Sequence, residues 1–364
     1  MPTRPTITER GSRVKPEKAS ELCRNAKRIL ILKTNLLGDV LNFLPVANFL
    51  RKTAQSARLS WLVTRPGYPV VAELSDVDEI LLLADSFLYN YYHLFTVASW
   101  LRAKQFDLLV TSYQEECFLV NLLALLSRTP ARAGYNLRNR GWFFNIKVPK
   151  GEALRRVEIN GQLLKTLGQG EVKDYLYIPR ASRKGSEQFA ERLEREFGVR
   201  EMNQLCVLHL FSPKPTKSWR MEYAEELVRG VRTELGMTPV LVGNEEQARR
   251  LGREQQSLGL VNLTGQISLL ELYYLLKQAG LFIGIDSFPL QLTEFCDTKA
   301  IALFGSTLVA ENLVPSARIL RAEVKCAPCW PQKKNCDRDF QCWRELKPEM
   351  IIKAGQSLKA GSGV

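Results

Sequence analysis

RILILKTNLLGDVLNFLPVANFLR, residues 28–51, is the stretch from which the fold is read. Ile29 to Leu32 form an apolar run with the length and branching of a buried strand. Lys33-Thr34-Asn35 interrupt it, a single glycine follows at Gly38, and Asp39 comes directly after that glycine. Val40, Phe43, Leu44, Ala47 and Leu50 then recur at helical spacing as far as Arg51. Strand, loop and helix in this order predict an α/β chain with a parallel sheet. The loop after a strand's carboxyl end faces the ligand crevice of such a sheet, which makes Asp39 the first candidate for chemistry. The alternative reading of Asp39 is a helix cap, a role that aspartate fills well.

The 364 residues suit two α/β domains, and 45% hydrophobic with 24% charged residues is ordinary for a folded soluble chain. No run of eighteen apolar residues exists and the first 27 residues are polar and basic, so the expectation is a cytoplasmic protein with neither a membrane span nor a signal peptide. Scattered single cysteines at positions 23, 117, 206 and 296 agree with a reducing compartment. The net charge of +13 is concentrated between Arg128 and Arg156, where eight Lys or Arg face one acid, Glu152, among Tyr135, Trp142, Phe143 and Phe144. Such a segment suits an anionic lipid or phosphorylated glycan, or is simply a solvated basic face. No helix-turn-helix, zinc-finger or RNA-recognition signature accompanies it, so nucleic acid is not the expected partner.

The alternation continues along the chain. Strands are predicted at Leu59–Val63, Asp78–Leu83, Phe106–Val110, Leu205–Leu210, Pro239–Val242, Leu281–Ile285 and Ala300–Phe304. Helices are predicted at Phe118–Leu126, Arg155–Leu167 and Ser268–Ala279, the last opened by a Ser268/Glu271 capping box. Asp76-Val77-Asp78 has the spacing of a metal-binding pair of sugar transferases, but it precedes its strand and is read as a surface turn. Gly168-Gln169-Gly170 follows a helix and is read as a linker, not a dinucleotide fingerprint. The expected organisation is a loose basic extension over 1–26, one Rossmann-like domain over 27–170, a second over 171–352 and a flexible tail over 353–364. Polar residues fall at successive strand ends, and the two halves are expected to face one another across a cleft.

Lys33-Thr34 with Leu37-Gly38-Asp39-Val40 and Leu44-Pro45, then Lys217-x-Trp219, Leu263-x-Gly265, Asp286-Ser287-x-Pro289 and Leu303-Phe304-Gly305-x-Thr307, in that order, resemble the ADP-heptose:lipopolysaccharide heptosyltransferases. The resemblance runs from about residue 28 to about residue 352. It implies a GT-B fold with an acceptor-binding first domain, a donor-binding second domain, an ADP-activated sugar donor, an anionic lipid-linked oligosaccharide acceptor and peripheral contact with the inner face of the cytoplasmic membrane. It also implies inverting transfer without a catalytic metal. Asp39 would be the general base and Lys217 would meet the departing ADP. Thr264, Gly265, Glu245, Asp286, Ser287 and Thr307 would hold the donor, and Lys33, Thr34, Gly38, Arg65, Tyr113, Gln114 and Arg138 the acceptor.

The chain departs from the family pattern Asp-Ser-Gly-Pro-x-His, with Phe288 for the glycine and Gln291 for the histidine. A side chain at 288 hinders close backbone approach to phosphate, and glutamine carries no charge. A changed donor, or a binding protein on the same fold, is therefore the alternative. Of two histidines, His209 ends a strand beside the Lys217 loop and His93 has no motif around it. Cys326, Cys329, Cys336 and Cys342 have the count of a structural zinc or iron site, although their spacing is not that of a standard finger; packed thiols or a reversible disulfide are equally open.

Overall fold

The computed structural model describes residues 14–85, 93–115, 117–135, 141–153, 155–250, 259–329 and 335–361. The chain divides into two compact units, Met1–Arg180 and Ala181–Val364. In the first, β1 (Arg28–Leu32), β2 (Arg58–Thr64), β3 (Glu79–Leu83), β4 (Leu108–Thr111), β5 (Ala131–Tyr135) and β6 (Ile146–Val148) form one parallel sheet in the order β3-β2-β1-β4-β5-β6. Ile31 of β1 lies between Trp61 of β2 and Val110 of β4, all fully buried, as a central parallel strand requires. Its helices are α1 (Pro16–Asn25), α2 (Leu37–Leu41), α3 (Leu44–Thr53), α4 (Tyr68–Leu74), α5 (Leu94–Ala103), α6 (Phe118–Leu126) and α7 (Arg156–Leu167).

The second unit repeats this order. Its sheet runs β12-β11-β10-β7-β8-β9, from β7 (Leu205–His209), β8 (Thr238–Leu241), β9 (Val261–Asn262), β10 (Leu281–Ile285), β11 (Ala300–Phe304) and β12 (Ala317–Arg321). Around it lie α8 (Arg183–Phe197), α9 (Ala224–Thr233), α10 (Glu245–Arg250), α11 (Leu269–Gln278), α12 (Phe288–Thr293), α13 (Val309–Asn312), α14 (Gln341–Arg344) and α15 (Pro348–Lys359). Ser268 and Glu271 make both bonds of the expected capping box on α11, an arrangement worth about 1 kcal/mol. In each sheet the chain reverses direction of winding between two neighbouring central strands, β1 and β4 in the first and β7 and β10 in the second. Such a switch point opens a crevice at the carboxyl ends of its strands.

Three expectations about organisation change. The basic extension contains α1, whose Ala19 and Cys23 are buried against the unit, because two small apolar residues one turn apart give an otherwise polar helix a docking face. The expected tail over 353–364 begins inside α15, which buries Ile351, Ile352 and Ala354 and packs on α9 so closely that a Cβ at Gly230 would lie 2.8 Å from Ile352. The boundary lies ten residues later than the glycine linker suggests. Residues 171–180 stay with the first unit: Asn48 Nδ2 donates to the carbonyls of Tyr175 and Tyr177, Tyr175 packs edge-on against Phe49, and Arg180 Nε donates to Ser75 O. The Asp-x-Asp segment is an exposed irregular connection into β3, with Asp78 accepting from Leu59 N and both acids paired to Arg51.

Candidate active site

At the switch point of the first sheet, β1 leads through Lys33–Leu36 into α2 and β4 leads to Glu115. The helix begins at Leu37 with Leu36 as its extended cap residue, so Asp39 stands in the first turn and does not cap it. Its carboxylate instead accepts from Arg156 Nη1 at 2.9 Å, from the start of α7. The two side chains are 19% and 32% exposed, so the pair contributes at most about 1 kcal/mol to stability. Orientation is its main effect, since a guanidinium holds a carboxylate in a fixed plane. Behind it, Glu115 is buried and accepts from both Thr34 N (2.8 Å) and Thr34 Oγ1 (2.9 Å). Burial pushes its carboxyl up, while the Lys33 charge and the two Thr34 bonds oppose the shift.

Lys33 is fully buried, and its ammonium donates to Asn35 Oδ1 at 2.6 Å. Burial lowers its pKa to about 8, against the raising influence of Asp39 and Glu115. Asn160 closes the group: its Oδ1 accepts from Tyr113 N at 3.0 Å and its Nδ2 donates to Gln114 Oε1 at 3.0 Å. Thr111 Oγ1, Ser112 Oγ and Gln114 Nε2 are buried without partners, three orphaned polar atoms at or just beyond the carboxyl end of one strand. Buried polar atoms normally find partners, so these suit a polar ligand.

At the second switch point β7 delivers His209 and the Lys217 loop, and β10 delivers Asp286 and Ser287. Lys217 Nζ lies 3.7 Å from Asp286 Oδ2, which also accepts from Asn312 Nδ2 of α13 at 3.1 Å. Asp286 is buried and Lys217 retains 23% of its side-chain exposure, so its ammonium is available to a further anion. His209 meets Ser287 Oγ through Nδ1 (2.9 Å) and Gln247 Nε2 through Nε2 (3.3 Å). Because the amide can only donate, Nε2 accepts and the Nδ1 proton points at Ser287, whose hydroxyl donates on to Ile285 O at 3.1 Å. Burial lowers the His209 pKa to about 4, with the Gln247 bond opposing and the Lys217 charge adding to the shift. The imidazole is therefore a neutral relay at physiological pH.

This gives a pH prediction with a definite sign. The unfolded histidine binds its proton near pH 6.5 and the folded one near 4, so stability is lost as the pH falls through that window, by up to about 3 kcal/mol at about 1.4 kcal/mol per pH unit. His209→Asn should flatten this part of the dependence in urea unfolding at pH 6.5 and 4.5. Equal slopes in the two proteins would count against it.

Beside this group, Gly265 takes φ +72° and donates its N–H to Gly243 O at 2.8 Å. A side chain there would be strained in the left-handed region and would press on the Glu245 backbone at 3.2 Å. Thr264 is buried, with an unpartnered Oγ1, while Glu245 is exposed at the start of α10 and Thr307 is buried beyond β11.

The glycosyltransferase family 9 (heptosyltransferase) model matches residues 94–338, about two thirds of the chain. The chain belongs to glycosyltransferase family 9. Lipopolysaccharide heptosyltransferase 3 of Escherichia coli is 24% identical over 287 residues, covering 74% of this chain and 81% of that protein. Among solved structures, a family 9 glycosyltransferase from Veillonella parvula superposes with a TM-score of 0.71 at 19% identity, over 91% of this chain and 97% of its own. The E. coli heptosyltransferase WaaC with ADP does so with a TM-score of 0.65 at 17% identity, over 91% and 99%. The protein is thus a glycosyltransferase of the GT-B fold.

For this family 9 enzyme the structure gathers Asp39 and Gly38 at one switch point with Tyr113 and Gln114, and Lys217, Asp286 and Ser287 at the other. It corrects Lys33 and Thr34. Lys33 has no exposed surface and Thr34 turns both its donors to Glu115, so both are internal supports where direct acceptor contact was expected. Arg65 is exposed at the end of β2, and Arg138 lies outside the described residues. His93 is an exposed residue preceding α5. The four late cysteines line one cavity of about 20 Å³ with Thr216 and Ser306, and burial raises the Cys342 thiol to about 11. No disulfide joins them, and among the described residues no group of three or more His, Cys, Asp or Glu is arranged to hold a metal, so the zinc or iron alternative gains no support.

Sequence reasoning missed Glu115, Arg156, Asn160, Gln247 and Asn312. Glu115 had a signal, as an acid just past β4. The other four come from helices, where nothing in the local pattern marks a residue as facing a strand end.

Proposed function

We propose that this glycosyltransferase moves a heptose from ADP-heptose to an anionic lipopolysaccharide core acceptor with inversion. Asp39 takes the proton of the acceptor hydroxyl as its oxygen bonds to the anomeric carbon. The bond from that carbon to the diphosphate breaks, its electron pair leaves with ADP, and Lys217 meets the charge that develops there. Asp286, braced by Asn312, holds the Lys217 ammonium, Thr264 offers its hydroxyl and Ser287 a remaining acceptor position on its oxygen to the donor, and Glu245 suits a ribose hydroxyl. Arg156 orients Asp39, and Tyr113, Gln114 and Arg65 meet the acceptor.

The observation that carries this reading is that each unit sets a charged pair at its own switch point, Asp39 with Arg156 and Lys217 with Asp286. The chain's relatives, lipopolysaccharide heptosyltransferase 3 of E. coli and the E. coli heptosyltransferase WaaC with ADP, support this choice of sugar and nucleotide. Contact with an anionic membrane surface is supported by the exposure of Phe95, Phe118 and Trp142, the last two sharing Phe143 as ring partner, on a chain of net charge +13. No helix among the described residues is long and apolar enough to cross a membrane.

The test is ADP release from ADP-heptose with a lipid A-core acceptor in anionic vesicles. Turnover should persist in EDTA, and the protein should sediment with the vesicles. Loss in EDTA with recovery on adding magnesium would overturn the account of leaving-group stabilisation, and failure to sediment would overturn the membrane contact. Phe288 and Gln291 favour one other reading, a binding protein on this fold, for which neither turnover of any nucleotide sugar nor thermal stabilisation by ADP would be seen.

A further inference from the structure

We infer that Trp343, in the cysteine-bearing segment far from the sheet's carboxyl end in sequence, is a positioning residue for Lys217. Lys217 ends a short 3-10 turn, Pro215–Lys217, closed on itself by Lys217 N donating to Lys214 O at 2.9 Å, Ser218 N to Pro215 O at 3.1 Å and Ser212 N to Ser218 Oγ at 2.9 Å; these bonds shape the turn but do not anchor it to the rest of the unit. The backbone on either side of it is tied to one segment, residues 343–346. Before it, Thr216 O accepts from Trp343 Nε1 at 2.8 Å and from Ser306 Oγ at 2.8 Å. After it, Trp219 Nε1 donates to Leu346 O at 2.9 Å, and Trp219 N donates to Leu210 O at 3.0 Å. Both indoles are 2% exposed.

An indole N–H is a lone donor on a rigid ring, so two of them in opposite senses fix the turn between them in position and direction. The strand end β11 completes the seat. Gly305 lies so near the Trp343 ring that a Cβ there would stand 2.2 Å from it, and the thiols of the cysteine cavity back the same wall as Thr216 and Ser306. The cysteine segment thereby acquires a use that needs no metal: it packs α14 so that Trp343 can reach Thr216. With the turn fixed, the Lys217 side chain spans to Asp286.

This inference rests on the proposed role of Lys217, and the experiment separates the two. Trp343→Phe keeps an aromatic ring and removes the donor. It should lower kcat about 10- to 10²-fold, the scale of a small misplacement of a charged group, with little change in the KM for ADP-heptose. In the Trp343→Phe/Lys217→Ala double variant the loss should be no greater than in Lys217→Ala alone, because Trp343 acts only through Lys217. Ser306→Ala, which removes the other donor to Thr216 O without altering the core rings, should give a smaller loss of the same kind, and it stands in if Trp343→Phe does not fold. Trp61→Phe serves as control: this buried indole of the first unit has an unpartnered Nε1, and its loss should leave kcat unchanged. Losses that multiply in the double variant, or a change in KM alone, would overturn the positioning role. Full turnover by Lys217→Ala would overturn the reading beneath it.

Discussion

Asp39→Asn is expected to lower kcat about 10²- to 10⁴-fold while the protein stays folded, the range that a placed general base supplies. The amide keeps the shape of the carboxylate but cannot take the acceptor's proton. Structure should survive because the Arg156 pair is partly exposed and worth at most about 1 kcal/mol, and because Asp39 does not cap α2. The variant has a second, independent reading. Asp39 raises the pKa of buried Lys33, so its removal should move the Lys33 titration further below about 8. Measured ADP release, the far-ultraviolet circular dichroism spectrum and the Lys33 side-chain resonance together decide the matter. A folded Asp39→Asn protein with full turnover would end the assignment of Asp39 as base.

Lys217→Ala should reduce kcat by about 10² to 10³, the scale found when one donor to a developing oxyanion is removed. The loss belongs in kcat because the charge it meets grows as the bond to the diphosphate breaks. Asp286 would keep Asn312 as partner but lose its cation, so a fall in melting temperature is also expected, modest because the 3.7 Å ion pair is long and Lys217 is partly exposed. Single-turnover kinetics with saturating donor separate the two effects. An unchanged kcat with a raised KM would reassign Lys217 to ground-state binding of ADP.

Much of this arrangement is visible before any coordinates. The strand predicted at 281–285, that at 300–304 and the helix at 118–126 coincide with β10, β11 and α6, because each is an almost unbroken apolar run, interrupted only by Gly284 in β10 and Asn121 in α6. Four strands escaped prediction: β5 and β6 are short and broken by arginine, lysine and glycine, β9 is only the pair Val261–Asn262, and β12 is a half-exposed edge strand. The helix α1 escaped because a polar helix is stabilised by what it packs on, not by its own pattern, whereas a final helix after Trp343 was expected and is found as α15. Within the site, Asp39, Lys217, Asp286 and Ser287 were legible since strand, loop and helix order alone assigns a side chain to the ligand end. Lys33 was misread for the opposite reason: a lysine's burial is invisible in sequence, and here it depends on Glu115, 82 residues away, and on Asn35.

The sequence by itself determined the α/β class, the repetition of one winding pattern in two halves and the strand ends that carry chemistry, because apolar periodicity and loop polarity are local properties of the chain. Only the tertiary structure decided which charges meet: Asp39 with Arg156, Glu115 with Thr34, Asp286 with both Lys217 and Asn312, and Trp343 beneath the Lys217 turn. Those pairings join residues up to 127 positions apart, and they exist because the sheet order brings β1 beside β4 and β7 beside β10. No local propensity encodes that order, which follows from burying both faces of each parallel sheet at once.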